Sequence, residues 1–152
     1  MKRPVRISGF SLIELLIVVT MVGILTAIVA PSIRRGMIRN EVFNARNAVA
    51  NLYTTARLAG LQTTRRVVLK RSGNVVHIAA WPRLDGTGGA TARDTIGAVI
   101  DLNDRYGVTL TVNADSILID PKGFGGATLN WVVSRGGFSD SVRVNNLGVV
   151  LR

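Results

Sequence analysis

The sequence contains no cysteine and one histidine in 152 residues. Without cysteine the chain cannot form a disulfide scaffold, a thiolate metal site or a cysteine nucleophile. His77 lies in a predicted strand with no second histidine to complete a zinc site or a Ser-His-Asp triad, so we expect a structural or surface role for it. Aromatic residues make up 5% of the chain, and Trp81 and Trp131 are expected in a core or an interface. These absences predict a protein that is not an enzyme and uses no metal or cofactor.

Acidic residues are also scarce, with nine against 19 lysines and arginines, for a net charge of +10. Such an excess is typical of proteins that bind nucleic acid or an anionic surface. The charge is uneven, however. Residues 1–9 carry +3 and residues 31–71 carry +8, whereas residues 72–152 hold seven basic and seven acidic side chains. The basicity is therefore confined to the two sides of one apolar stretch that contains no basic residue.

That stretch, Phe10–Ala30, holds 16 apolar residues in 21 and a single charge, Glu14. As a helix it is about 30 Å long, the thickness of a bilayer core. A cleaved secretory signal is the alternative, but the apolar run is longer than a typical signal core and no small-residue cleavage site precedes a polar loop. A carboxylate at the start of a membrane helix is costly unless it is paired, so Glu14 is a candidate functional residue.

The sequence Gly9-Phe10-Ser11-Leu12-Ile13-Glu14, behind a short basic leader, resembles the processing signature of type IV prepilins and of the pseudopilins of type II secretion. The resemblance implies cleavage between Gly9 and Phe10 by a prepilin peptidase and N-methylation of Phe10. It also implies that Glu14 pairs with the N-terminal amine of a neighbouring subunit in a filament. Such pairing is physically sound, because a buried carboxylate and a buried ammonium offset each other's desolvation only as a pair.

The predicted organisation follows from this resemblance: a cleaved leader at 1–9, a membrane-spanning, filament-core helix at 10–30, an amphipathic helix at 31–60 and a β-rich globular domain at 61–152. Localisation in the bacterial inner membrane with one span, the domain in the periplasm, and later incorporation into a filament are also implied. Basic residues flank the span on both sides, so charge does not set the orientation. Pro31 predicts a kink. In pilins the helix often loosens between the positions that correspond to Gly23 and Pro31 when the subunit enters a filament, and the resemblance implies the same here. A simple kink at Pro31 without such loosening is the alternative.

After the span, apolar residues recur every three or four positions, which predicts one buried helix face. The stripe is Ile38, Val42, Ala45, Val49, Leu52, Ala56 and Ala59, with Gly60 as the predicted helix end. Basic residues on this helix are predicted to point mostly away from the sheet, namely Arg34, Arg35, Arg39, Arg46 and Arg57. Three interpretations of these arginines are open. They form a solvated helix face, they contact acidic faces of neighbouring subunits, or they contact phosphates of DNA or of lipid headgroups.

Beyond Gln62 the pattern predicts strands and turns, giving an α+β fold with the long N-terminal helix packed on an antiparallel sheet. The predicted strands are 65–71, 75–81, 98–102, 108–112, 116–120, 128–134, 141–144 and 148–152. Hairpin turns are predicted at Ser72-Gly73-Asn74 and Arg135-Gly136-Gly137-Phe138, and a loop at 82–94. The predicted core is Val67, Leu69, Val76, Ile78, Leu118, Leu129, Trp131, Val133, Val142 and Val144. Asp101 and Asp104 are the nearest approach to a carboxylate calcium loop, and ordinary turn residues are the favoured interpretation.

Two C-terminal segments, Ile119–Gly123 and Val142–Gly148, resemble the GspH/FimT group of minor pseudopilins and minor pilins. The resemblance implies a structural subunit in the initiation or tip complex of a pilus-like filament, in type II secretion or a type IV pilus. Its partners would be other pseudopilins or minor pilins, the prepilin peptidase, the inner-membrane assembly platform and the lipid bilayer.

The alternative is a FimT-like minor pilin that binds DNA in natural transformation through a C-terminal Gly-Arg-x-Arg segment. Here Gly148-Val149-Val150-Leu151 lacks both arginines, which leaves Arg143 and Arg152 nearby. The basic residues lie instead on the helix, a surface that filament neighbours would cover.

Overall fold

A computed structural model of the chain describes residues 10–81 and 94–151. The chain divides into two compact units, Met1–Met37 and Ile38–Arg152. Helix α1 (Leu12–Thr63) begins in the first unit and ends in the second. The leader, Arg152 and all but the last residue of the predicted loop 82–94 lie outside the described residues.

The second half of α1 buries one face against the globular domain. Five members of the predicted stripe are buried, while Ile38 and Ala59 are half-buried. Tyr53, which the periodic pattern did not single out, is fully buried on the same face. The predicted end at Gly60 is wrong. The helix continues to Thr63 and stops where Thr64 takes a positive φ of 54°.

Within its described residues, the globular domain contains eight strands and a second, short helix. In chain order these are β1 (Val67–Ser72), β2 (Val75–Ala80), β3 (Asp94–Asp101), α2 (Leu102–Tyr106), β4 (Thr109–Val112), β5 (Ser116–Ile119), β6 (Leu129–Arg135), β7 (Phe138–Val144) and β8 (Val150–Leu151). All pairings are antiparallel, and they form two four-stranded sheets of order β3-β2-β1-β5 and β4-β6-β7-β8. The α+β class is confirmed, but the single predicted sheet is two.

Both predicted hairpin turns are present. Gly73 and Asn74 join β1 to β2, and Gly136 and Gly137 join β6 to β7. The two glycines of the second turn have φ values of 56° and 84°, which side chains with a Cβ rarely adopt. This two-residue turn with two positive φ angles matches the right-handed twist of the flanking strands.

Nine of the ten predicted core residues of the domain are buried, and Leu118 is the exception. Strand β5 pairs with β1 so that Ile119 lies opposite Val67 and Ile117 opposite Leu69. Because side chains alternate across a strand, the two isoleucines face the core and Leu118 is half-buried on the other face. The prediction placed β5 on the wrong face because the run Ile117-Leu118-Ile119 has no polar residue to set its phase.

The segment predicted as a strand at 98–102 is the end of β3 followed directly by α2. The carboxylate of Asp101 caps this helix, accepting hydrogen bonds from the backbone N–H groups of Asn103 at 2.8 Å and Asp104 at 3.2 Å. Gly107 ends it with a φ of 63°. Asp101 therefore serves local backbone structure, and among the described residues no group of three or more His, Cys, Asp or Glu side chains is placed to hold a metal ion.

Candidate functional site: an exposed apolar helix

The first unit presents an apolar surface that its own fold does not cover. Sixteen large apolar side chains between Phe10 and Met37 have exposed fractions from 47% to 85%. They lie all around α1, because consecutive positions such as Leu15, Leu16 and Ile17 are all exposed. A helix that is apolar on every side is stable in a membrane or inside a bundle of other helices. By length and composition α1 can cross a membrane.

Glu14 lies in the first turn of α1, where Ser11 caps the helix. The Ser11 hydroxyl oxygen accepts a hydrogen bond from the backbone N–H of Glu14 at 3.2 Å, and the Ser11 carbonyl accepts from Leu15 N–H at 3.2 Å. Ser-x-x-Glu is a capping-box sequence, a local signal that the sequence analysis missed. The positive end of the helix dipole favours a carboxylate in this turn. Glu14 is exposed and lies in the first turn of the apolar helix.

The few polar groups within this apolar stretch are satisfied by the helix itself. The hydroxyls of Thr20, Thr26 and Ser32 donate to the carbonyls of Leu16, Val22 and Val29 at 2.7 to 2.8 Å. Internal bonding of this kind is required where no water is available.

Helix α1 continues through both positions at which an interruption was predicted, Gly23 and Pro31. A Cβ at Gly23 would meet no atom within 4 Å. Pro31 has no N–H to donate to the carbonyl four residues earlier. The kink and the loosening of the helix stay predictions.

The five helix arginines fall into two groups. Arg34, Arg35 and Arg39 are exposed, as predicted. Arg46 and Arg57 turn instead toward the domain, so their predicted outward orientation is wrong. Arg46 forms an ion pair with Asp140 at 3.6 Å, and its side chain is only 12% exposed. Arg46 and Arg57 each follow a buried stripe residue in the sequence, and the guanidinium of each contacts an oxygen atom of the domain.

Arg57 is part of a polar cluster beneath the C-terminal turn. Its Nη1 donates to the carbonyl of Gly148 at 3.1 Å. A Cβ at Gly148 would lie 2.6 Å from the Gly123 carbonyl and 3.1 Å from the Tyr53 hydroxyl. Burial raises the pKa of Tyr53 above its ordinary value of 10.0, and the positive charge of Arg57 opposes that rise. Because Gly123 and Gly148 have no side chains, the C-terminal turn lies directly on the helix.

A second link joins α1 to the sheet of β4. Arg135 contacts the carboxylate of Glu41, and its Nη1 donates to the Tyr106 carbonyl at the end of α2 at 2.7 Å. Its guanidinium also lies over Gly107, where a Cβ would be 2.6 Å away. These contacts are structural, and they hold the helix, α2 and β6 in one arrangement.

No described contact joins the candidate DNA-contacting residues to one another. Arg46 and Arg57 contact their own domain, while Arg143 is exposed on β7, paired in register with Asn130 and Leu151. Arg152 lies outside the described residues. DNA binding therefore stays a prediction that no described contact supports.

Comparison with known proteins agrees with this picture. Residues 5–30 match the family model of the prokaryotic N-terminal methylation motif. No curated protein sequence matches the chain. Two crystal forms of the type IV minor pilin FimU of Pseudomonas aeruginosa strain PAO1 are similar in structure. The P21 form has a TM-score of 0.55 and 12% identity, over 74% of this chain and 88% of FimU. The P65 form has a TM-score of 0.52 and 11% identity, over 71% and 89%.

The fold is thus that of a pilin: a long N-terminal helix, apolar in its first half, packed through its second half on antiparallel sheets. The chain therefore combines a prokaryotic N-terminal methylation motif at residues 5–30 with the fold of a type IV minor pilin. The finer resemblance to the GspH/FimT group stays a prediction.

Proposed function

We propose that the chain is a minor subunit of a pilus-like filament, in a type IV pilus or in type II secretion, where it acts in the initiation or tip complex. The observation that carries the proposal is the first half of α1, which is apolar on every side and exposed directly behind a methylation motif. Before assembly this helix holds the chain in the inner membrane with the domain in the periplasm. In the filament the helices of neighbouring subunits cover the same surface.

Processing prepares the end of that helix. Hydrolysis of the Gly9–Phe10 peptide bond by a prepilin peptidase releases the leader and leaves a free amine on Phe10, which is then N-methylated. Phe10 is 79% exposed and lies two residues before the start of α1. Its amine stands at the surface on which the next subunit packs.

Glu14 then selects the position of the neighbouring subunit. Inside a helix bundle its carboxylate is removed from water, which is costly unless an opposite charge accompanies it. The ammonium of a neighbour's processed N-terminus supplies that charge. Because Ser11 holds the first turn of α1 in place, the carboxylate is presented from a formed helix end rather than from a frayed one.

The processing step is tested by the intact mass of the chain purified from cells with and without a prepilin peptidase. We expect loss of residues 1–9 and gain of one methyl group only when the peptidase is present. Gly9→Val should block both changes. Gly23→Ala, a glycine in open space on the same helix, should leave both changes intact. An unprocessed wild-type chain in peptidase-positive cells would reject the proposal.

Assembly is tested by cross-linking, which the absence of cysteine makes clean. A cysteine introduced at the exposed Leu25 is the only thiol in the chain. We expect it to cross-link to a cysteine placed in the apolar helix of another filament subunit. The identity of the subunit that cross-links, from a pilus or from a secretion filament, distinguishes the two machines. No cross-link to either would contradict the proposal.

A further inference from the structure

The apolar surface of α1 is interrupted by a pair of arginines, with one further exposed apolar side chain at Met37. Ile33 is the last large apolar side chain before Arg34 and Arg35, and both arginines are exposed. No ion pair with a carboxylate involves either of them within residues 10–81 and 94–151. Other arginines of the chain are paired: Arg46 with Asp140, Arg71 with Asp115 and Arg135 with Glu41. The pair at 34 and 35 thus presents two positive charges for an external partner.

Helix geometry gives the depth of this pair in a membrane. The 21 residues Phe10–Ala30 fill a bilayer core about 30 Å thick, and each headgroup layer adds about 5 to 8 Å. Arg34 and Arg35 follow Ala30 by four and five residues, which is about 6 to 8 Å along the axis. Their Cα atoms are therefore at the level of the lipid phosphates. Arg39 lies nine residues past Ala30, about 13 to 14 Å along the axis and beyond that layer.

We propose that Arg34 and Arg35 bind the phosphates of anionic phospholipids in the leaflet on the domain's side of the membrane. This inference rests on the proposed membrane anchoring of α1. The guanidinium group offers planar, paired N–H donors that match phosphate oxygens, and the long side chain can adjust its height to the headgroup. Adjacent positions on a helix are about 100° apart, so the two arginines contact different headgroups.

The position of the pair favours lipid over nucleic acid as the source of the phosphates. The two arginines stand one turn from the membrane span, so a lipid headgroup is already within reach of each side chain. A DNA duplex would have to lie against an anionic membrane surface to contact both of them. The lipid contact also fixes the height of the subunit before assembly, because moving α1 up or down removes the arginines from the phosphate layer.

The test uses the full chain in a non-ionic detergent, titrated with phosphatidylglycerol or with phosphatidylcholine of the same acyl chains. Native mass spectrometry measures the bound lipid. Each basic residue near an anionic surface contributes about a fivefold gain in affinity. We therefore expect the double variant Arg34→Gln/Arg35→Gln to lose most of the preference for phosphatidylglycerol, by at least tenfold. Arg39→Gln, which removes one positive charge just outside the layer, should retain it.

Equal binding of the two lipids by the wild-type chain would overturn the inference, as would an equal loss in Arg39→Gln. A short DNA duplex, added without anionic lipid, is the second arm. Binding of the duplex that requires Arg34 and Arg35, with no preference for phosphatidylglycerol, would also overturn it. Reconstitution into phosphatidylcholine vesicles followed by carbonate extraction separates the two proposals. A chain that is extracted rejects membrane anchoring, whereas a chain that stays without lipid preference rejects only the lipid site.

Discussion

The guanidinium of Arg57 donates a hydrogen bond from Nη1 to the carbonyl oxygen of Gly148 at 3.1 Å, across 91 residues of sequence. This bond ties the second half of α1 to the turn before β8. A hydrogen bond from a charged group contributes about 1.5 to 3 kcal/mol. We expect Arg57→Gln to lower the free energy of unfolding by that amount in chemical denaturation of the full chain in detergent. Arg39→Gln, on the exposed face of the same helix, should change it by less than about 0.5 kcal/mol. Equal effects would contradict the assignment.

The same turn depends on glycine at position 148. Gly148 has a φ of 74°, and an added Cβ would lie 2.6 Å from the backbone oxygen of Gly123. Gly148→Ala should therefore cost about 2 to 4 kcal/mol, from backbone strain and from displacement of the neighbouring loop. The matched control is Gly137→Ala, where φ is 84° but no atom lies within 4 Å, and about 1 kcal/mol is expected. Thermal unfolding of the two variants compares the costs, and a Gly137→Ala cost as large as that of Gly148→Ala would exclude the steric contact.

We expect ionisation of the Tyr53 hydroxyl to lower the stability of the fold at alkaline pH. Burial raises the pKa of Tyr53 above 10.0, because the phenolate would lose its hydration, and the smaller effect of Arg57 lowers it. A folded pKa above the unfolded one contributes stability that is complete below about pH 10 and is lost as pH rises through the folded value. Absorbance titration of a Tyr106→Phe variant, which leaves Tyr53 as the only tyrosine, should show a midpoint above 10.

The matching stability measurement uses Tyr53→Phe. This variant should unfold with less dependence on pH above 10 than the wild type, because it lacks the group that ionises. A Tyr53 midpoint at or below 10, or an unchanged alkaline loss of stability in Tyr53→Phe, would show that the hydroxyl is hydrated.

The face of β5 is tested by two alanine substitutions next to each other. Ile119 is fully buried opposite Val67, whereas Leu118 is half-buried on the other face. Ile119→Ala should cost about 2 to 5 kcal/mol, as is typical for a fully buried aliphatic residue. Leu118→Ala should cost about 1 kcal/mol or less, since its side chain gives up little buried area. The reverse order in denaturant midpoints would mean that β5 is shifted by one residue relative to β1.

These cases show which features of the fold can be predicted from sequence. The buried stripe of α1, both hairpin turns and nine of the ten predicted core residues follow from local periodicity and turn chemistry. The face of β5 does not, because its apolar run has no alternation and only the pairing with β1 decides it. Helix α2 has five residues, too few for a periodic pattern, so its cap at Asp101 and its Gly107 were the only signals.

The candidate site divides in the same way. The methylation motif and the apolar helix are continuous in sequence, so they could be predicted in full, and the Ser11 cap could have been. The orientation of Arg46 and Arg57 could not be, because their acceptors lie at Asp140 and Gly148, 94 and 91 residues away. Periodicity predicts which helix positions face the sheet. It does not predict that a long side chain beside the buried stripe reaches back to a carboxylate or carbonyl.

Above all, we propose that the Glu14 carboxylate is required for incorporation of the subunit into a filament. The most direct measurement is the amount of the chain in purified filaments from cells that produce either the wild type or Glu14→Ala, normalised to the amount in the membrane. Asp104→Asn, which removes an exposed carboxylate from the domain, is the matched control. We predict that Glu14→Ala is inserted in the membrane and processed but absent from filaments, whereas Asp104→Asn is incorporated. Incorporation of Glu14→Ala at the wild-type level would contradict the account.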